Sequence, residues 1–188
     1  MAWIKTIPCE EAKGTLKKAY DRVKGPNNYL DNILTIHSLR PHSLEGHVRL
    51  YKNVLHHFSN EIPKWFLEAM GVFTSLLNGC TYCVSHHFTG VKRLLKDDQK
   101  ADKLLKALKS EDFHAFFSEK ESAMLKYTKK LAVTPWLLTE KDITELRNVG
   151  YDDGKILEAN QVISYFCYAN RTVLGLSLIH ISEPTRPY

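Results

Sequence analysis

One glutamate, two cysteines and one histidine stand where they could do chemistry together: Glu68, Cys80, Cys83 and His87. They lie in WFLEAMGVFTSLLNGCTYCVSHHFTGV, residues 65–91, where Glu68 is the sole formal charge between Lys64 and Lys92. Charged residues make up 25% of the chain, so a segment of that length should carry about seven at ordinary composition. A buried carboxylate is costly unless it is paired or neutralised. A CxxC pair in a reducing compartment does redox chemistry or holds metal. Together the four residues read as an active site.

The spacing sharpens that reading. On a helix, residues turn by about 100° and rise about 1.5 Å each, so Cys80, Cys83 and His87 at i, i+3 and i+7 share one face. Asn78-Gly79 ends the preceding helix and puts both cysteines in the first turn of the next. Unpaired N–H groups and the positive dipole end there favour thiolate, and a thiol so placed falls below its free pKa of about 8.5. Glu68 lies roughly 15 Å down one arm of the hairpin and His87 about 10–12 Å down the other. They can meet, directly or through a water. A carboxylate, a histidine and a thiol form a proton relay, and two cysteines three apart allow the second to resolve a sulfenic acid on the first. Tyr82 and His86 turn away toward a neighbouring helix or subunit and are accessory candidates.

Competing uses of the same residues fit less well. A zinc site would draw three ligands from one helix, the outer two about 10 Å apart, which bonds of about 2.0–2.3 Å do not span without unwinding. Haem c attachment needs histidine directly after the second cysteine, where this chain has Val84. No metal and no cofactor are expected. His37, His42, His47, His56 and His57 read as surface or satisfied core residues without a role, and Cys9 and Cys167 as inert structural thiols.

The elements that must position these residues are helical throughout, with no convincing alternating strand. Pro8 precedes a helix over residues 9–24, stopped by Gly25-Pro26. A loop at Pro26–Asn28 leads to a short apolar piece over 29–36, then a helix over 43–58. Asn60 is the expected cap of the next helix, with Pro63 in its first turn. Helices follow over 81–95, from Asp97 as N-cap to 109, over 121–133, over 139–149 with a Thr139–Asp142 capping box, and over 153–176. The short loops predict an antiparallel all-α bundle with the CxxC opening a core helix.

At 188 residues and 44% hydrophobic content, residues 1–176 suit one domain. The charge of +5 is spread over helix faces and gives no basic block for nucleic acid. The N-terminus lacks a secretory pattern, and no apolar run reaches membrane-spanning length. A cytoplasmic chain with no nucleic-acid or membrane partner is expected. The last twelve residues, SLIHISEPTRPY, have no helical period and resemble translated sequencing-adapter read-through, so 177–188 is set aside as a non-native-looking tail and nothing is read from His180 or Arg186.

The segment IPKWFLEAMGVFTSLLNGCTYCVSHHFTGVKRLLKD resembles the alkylhydroperoxidase AhpD-like, or carboxymuconolactone decarboxylase-like, superfamily. HSLRPHSLEGHVRLYKNVL and YFCYANRTVLGL resemble its peroxidase-related branch. The resemblance covers roughly residues 1–176 and implies an all-α homo-oligomer. It also implies that Cys83 forms the sulfenic acid, that Cys80 is proton donor and disulfide partner, and that Glu68 and His87 are the relay. Some members carry a histidine where this chain has Tyr82, a poor base near neutral pH. The implied activity is thiol-dependent reduction of a small hydroperoxide through a Cys80–Cys83 disulfide, with an external dithiol reductant. The alternatives are acid–base chemistry on a lactone or carboxylate, as in the decarboxylases, and a non-enzymatic redox-sensing module.

Overall fold

The computed structural model describes residues 2–25 and 29–176. The expected loop at 26–28 and the tail at 177–188 lie outside the described residues. The helices are α1 (Gly14–Asp21), α2 (Asn32–Thr35), α3 (Pro41–His56), α4 (Lys64–Leu77), α5 (Thr81–Leu95), α6 (Asp98–Ser110), α7 (Glu119–Val133), α8 (Glu140–Asn148) and α9 (Asp153–Gly175). Among the described residues there is no strand, and no helix is long and apolar enough to cross a membrane. The architecture is all-α.

The chain divides into two compact units, Met1–Asn53 with Arg171–Tyr188, and Val54–Asn170. In the first, Ala12, Leu16, Ala19, Tyr20 and Leu44 form a small core. The predicted helix over 9–24 is broken there. A 3₁₀ turn at Cys9–Glu11 is followed by extended Ala12 and Lys13, and α1 starts at Gly14, whose φ of +55° suits glycine. The Tyr20 hydroxyl donates to the Ile7 carbonyl at 2.9 Å. The core thus holds the segment before α1 in a path that local helix propensity does not favour.

The second unit is built around α4. Every residue from Phe66 to Ser75 is buried, and α4 packs against α5, α6 and α7. A helix covered on all sides must be apolar on all sides, which accounts for the missing charges. Its buried hydroxyls are satisfied within the helix: Thr74 donates to Met70 O and Ser75 to Gly71 O, both at 2.8 Å. Phe73 meets Phe113 edge-on at 5.2 Å, and Met124, Leu125 and Phe166 are fully buried.

Asn60 does not cap α4. Pro63 is the N-cap, and Asn60 Nδ2 instead donates to the Val54 carbonyl at 3.0 Å, near the end of α3. The N–H groups of Glu61 and Ile62 are taken by the Glu158 carboxylate of α9 at 3.0–3.1 Å. A partner 96 residues away does what a local cap was expected to do. The later caps are local. Asp97 accepts from Lys100 N–H at 2.9 Å, and the Asp142 carboxylate takes Thr139 N–H at 2.7 Å.

Candidate active site

The turn between α4 and α5 sets the cysteines. Gly79, at φ +69°, donates its N–H to Leu76 O at 3.1 Å, and Cys80 N–H reaches Ser75 O at 2.9 Å. This pair of bonds is a Schellman ending of α4. Cys80 then serves as N-cap of α5, its carbonyl accepting Val84 N–H at 3.0 Å. One residue closes one helix and opens the next. Cys80 therefore sits just before the first turn, and Cys83 is the third residue inside it. Cys80 is 0% exposed and Cys83 4%.

Glu68 and His87 meet directly. His87 Nδ1 and Glu68 Oε2 are 2.7 Å apart, with the carboxylate side chain 5% exposed, a distance typical of a charge-assisted bond. Burial alone would raise the Glu68 pKa. The charge and hydrogen bond of His87, then the charges of His56 and His86, outweigh it and hold the carboxyl below its usual value. Glu68 is therefore an anion paired with an imidazole in a buried place. With Nδ1 engaged, Nε2 is the ring nitrogen that can exchange a proton elsewhere.

Two glycines make the pair possible. A Cβ on Gly90, one turn beyond His87, would stand 3.2 Å from Glu68 Oε1 and 3.3 Å from its carboxyl carbon. The carboxylate thus lies against the bare backbone of α5. On α4, a Cβ at Gly71 would fall 2.1–2.7 Å from three atoms of the Phe166 ring. That ring stands edge-on to the His87 imidazole, with centroids 4.5 Å apart. Gly71 seats Phe166, and Phe166 backs His87.

Three residues near the carboxylate depart from the sequence reading. His56, given no role, lies at the end of α3 and its charge acts on Glu68 and His87. Burial lowers its pKa. His86, expected to turn away, stands 5.0 Å from the His87 ring and contributes charge at Glu68. Tyr82 stacks on His86 at 6.2 Å, so it touches the cluster through that ring. No local signal marked His56, since it lies on a helix twelve residues before Glu68, between apolar Val54-Leu55 and a second histidine, His57.

The two thiols titrate together. The Cys83 thiol, and less strongly the Cys83 backbone N–H, favour the anion on Cys80 and lower its pKa despite burial. The Cys80 anion, with burial, pushes Cys83 up, and the Asn170 side chain opposes that rise. The pair thus holds one anionic charge far more readily than two, and the first proton comes off more readily at Cys80 than at Cys83. Cys9 and Cys167 are partly exposed and in no disulfide. Among the described residues no group of three or more His, Cys, Asp and Glu is arranged to hold a metal ion.

No family model matches the sequence, and no curated protein matches it. Solved structures do. An alkylhydroperoxidase AhpD core, a peroxidase-related protein from Ralstonia eutropha JMP134, aligns at a TM-score of 0.80 with 18% identity, over 94% of this chain and 90% of that one. The fold is AhpD-like. A peroxidase-related protein from Silicibacter sp. TM1040 aligns at 0.74 with 22% identity, over 86% and 82%. The debrominase Bmp8 aligns at 0.72 with 20% identity, over 92% and 89%. The AhpD-like frame is thus shared by proteins described as peroxidase-related and by a debrominase.

Proposed function

We propose that the chain is a dithiol peroxidase that reduces small hydroperoxides at Cys83. The observation that carries this reading is the buried 2.7 Å bond between Glu68 and His87 on the same helix hairpin as the CxxC pair. Such a bond orients the imidazole one helical turn beyond Cys83 on α5, and a carboxylate–imidazole pair can relay a proton in thiol chemistry.

The chemistry follows from the pair's single charge. As peroxide arrives, the Cys83 proton passes to the Cys80 sulfur, and the Cys83 thiolate attacks the peroxide oxygen. The O–O bond breaks, leaving Cys83 as sulfenic acid, and the departing alkoxide takes the proton held on Cys80. The Cys80 thiolate then attacks the sulfenic sulfur. Hydroxide leaves as water with a proton relayed through His87, whose ring Glu68 orients. The product is a Cys80–Cys83 disulfide, and an external dithiol returns both thiols by exchange. Of the two buried residues Cys83 is the one with any exposure, 4% against 0% for Cys80, which supports its role as the attacking one.

The same reading includes self-association, which the exposed side chains of Phe58 (88%) and Trp136 (74%) support, and a cytoplasmic setting where dithiol reductants are kept reduced. The likeness to a debrominase supports a second substrate class, an aryl bromide reduced by the same thiols with release of bromide.

The test is hydroperoxide consumption by the reduced protein with dithiothreitol, run beside bromide release from a brominated pyrrole. Cys83→Ser is expected to abolish turnover, and Cys80→Ser to leave a sulfenic acid that dimedone labels on Cys83. Labelling at another cysteine would reverse or remove the assigned roles. Bromide release without peroxide consumption would move the function to the second class. Neither activity, in a protein whose thiols still oxidise, would leave the sensing module.

A further inference from the structure

A cleft of about 550 Å³ opens in the first unit between the end of α1 and α3, within the ordinary size of a small-molecule site. Val23, Leu44 and Val48 give it an apolar lining, and Arg22, Arg49 and Lys52 a cationic one, with exposed His42 beside them. Glu45 is the carboxylate that lines it, and that charge is already taken. Arg22 Nη1 donates to Glu45 Oε1 at 2.8 Å, which leaves the other donors of the guanidinium fork unused. Among the described residues, the Arg49 and Lys52 side chains make no hydrogen bond or ion pair. Two features of the cleft are unfavourable in the chain by itself. Arg49 and Lys52 stand three apart on α3, where like charges repel. Gly46, three residues earlier, lies inside the same helix, where glycine is disfavoured. A Cβ on Gly71 or Gly90 would run into a neighbouring side chain, whereas a Cβ on Gly46 would meet nothing within 4 Å. The space at Gly46 is open.

We propose that this cleft binds a small amphipathic anion, a carboxylate on an aliphatic chain. Arg49, Lys52 and the remaining donors of Arg22 take the headgroup, since guanidinium matches the two oxygens of a carboxylate. The chain lies against Val23, Val48 and the bare backbone at Gly46. The headgroup ends the repulsion between Arg49 and Lys52, and the Arg22 bond to Glu45 covers the one negative charge that would oppose it. No Phe, Tyr or Trp lines the cleft, so a nucleobase would find no stacking surface. The cleft contains no thiol, and its binding chemistry is separate from the reaction at Cys83.

The experiment follows octanoate binding to the full-length chain by ligand-observed NMR at low salt. Saturation with a Kd of about 1 mM or tighter is expected for a ligand of this size. Octanol and acetate, each lacking one half of the ligand, should bind at least about tenfold more weakly. Arg49→Gln with Lys52→Gln, both exposed, should weaken octanoate about tenfold. Gly46→Leu puts a side chain into the open space and should abolish binding with helical circular dichroism retained. Should that variant unfold, the exposed double variant decides alone. Octanoate bound by both variants as by the parent would overturn the assignment, and so would no saturation below about 10 mM. Octanol bound as tightly as octanoate overturns it too, because the cations would then contribute nothing. A hexaglutamate peptide bound more tightly than octanoate would overturn it in favour of an acidic peptide. A fall in oligomeric mass in either variant would overturn it in favour of a second copy of this chain.

Discussion

Gly90→Ala separates stability from catalysis at this site. Gly90 is inside α5, and replacing a helix-interior glycine with alanine gains about 0.8–1.0 kcal/mol of helix propensity. The added Cβ would sit 3.2 Å from Glu68 Oε1, 3.3 Å from Cδ and 3.4 Å from Oε2. The carboxylate must then give way by a few tenths of an ångström, stretching its 2.7 Å bond to His87 to about 3 Å, still within hydrogen-bond range. Most of the propensity gain should survive, so folding stability is expected to hold or rise by up to about 1 kcal/mol. Catalysis is less tolerant. A 1 Å misplacement can cost about a hundredfold, so a few tenths should cost roughly 3–10-fold in kcat.

A control isolates the contact. Gly46 lies inside α3 and a Cβ there meets nothing within 4 Å, so Gly46→Ala should show the propensity gain with no change in rate. Urea unfolding and peroxide turnover are measured on both variants. A Gly90→Ala protein with undiminished turnover would refute the requirement for a closely placed carboxylate. A loss of about 1–3 kcal/mol, the usual cost of overpacking, would show that Glu68 cannot move and that the pair is rigid.

Gly71→Ala should act in the opposite sense, because its Cβ would fall 2.1 Å from the Phe166 ring. A destabilisation of about 1–3 kcal/mol is expected after overpacking outweighs the propensity gain. Adding Phe166→Leu should restore part of it, and strict additivity in a double-mutant cycle would refute the contact. Glu68→Gln should lower the rate by about 10²–10⁴-fold with helical circular dichroism unchanged, and a folded, fully active variant would remove Glu68 from the mechanism. In the first unit, burial lowers the His47 pKa to about 4, helped by the charge of His37, whose ring lies 4.8 Å away. The unfolded chain then takes up this proton near pH 6.5 and the folded chain only near 4. The stability present above pH 6.5 is lost as pH falls toward 4, by about 2 kcal/mol between pH 7 and 5. His47→Phe should flatten that part of the urea profile, and an unchanged slope would refute the assignment.

What could be read from sequence was local. The turn at Asn78-Gly79, the Asp97 cap and the Thr139–Asp142 box each need only a few neighbouring residues, and the helices from α4 onward stand close to their expected bounds. The helix over 9–24 and the Asn60 cap failed because distant groups, Leu44 with Tyr20 in one case and Glu158 in the other, decide the backbone there. The site divides the same way. Glu68, Cys80, Cys83 and His87 share one hairpin and announce themselves by a charge alone in an apolar run and by the CxxC. His56 and Phe166 arrive from α3 and α9, and a phenylalanine in a helix carries no anomaly of composition.

A pattern that could have been seen concerns the glycines. Glu68 is followed at i+3 by Gly71, and His87 at i+3 by Gly90, and residues three apart share a helix face. A glycine inside a helix is unfavourable by about 1 kcal/mol, so two of them in register with the two relay residues call for a packing reason. The structure supplies one for each. Gly90 makes room on α5 for the carboxylate from α4, and Gly71 makes room on α4 for the ring that backs the imidazole from α5. Each helix leaves out a side chain beside its own relay residue, and the space goes to the group that fixes the opposite half of the pair. The 2.7 Å contact between Glu68 and His87 is therefore set by two absences as much as by the two residues that make it.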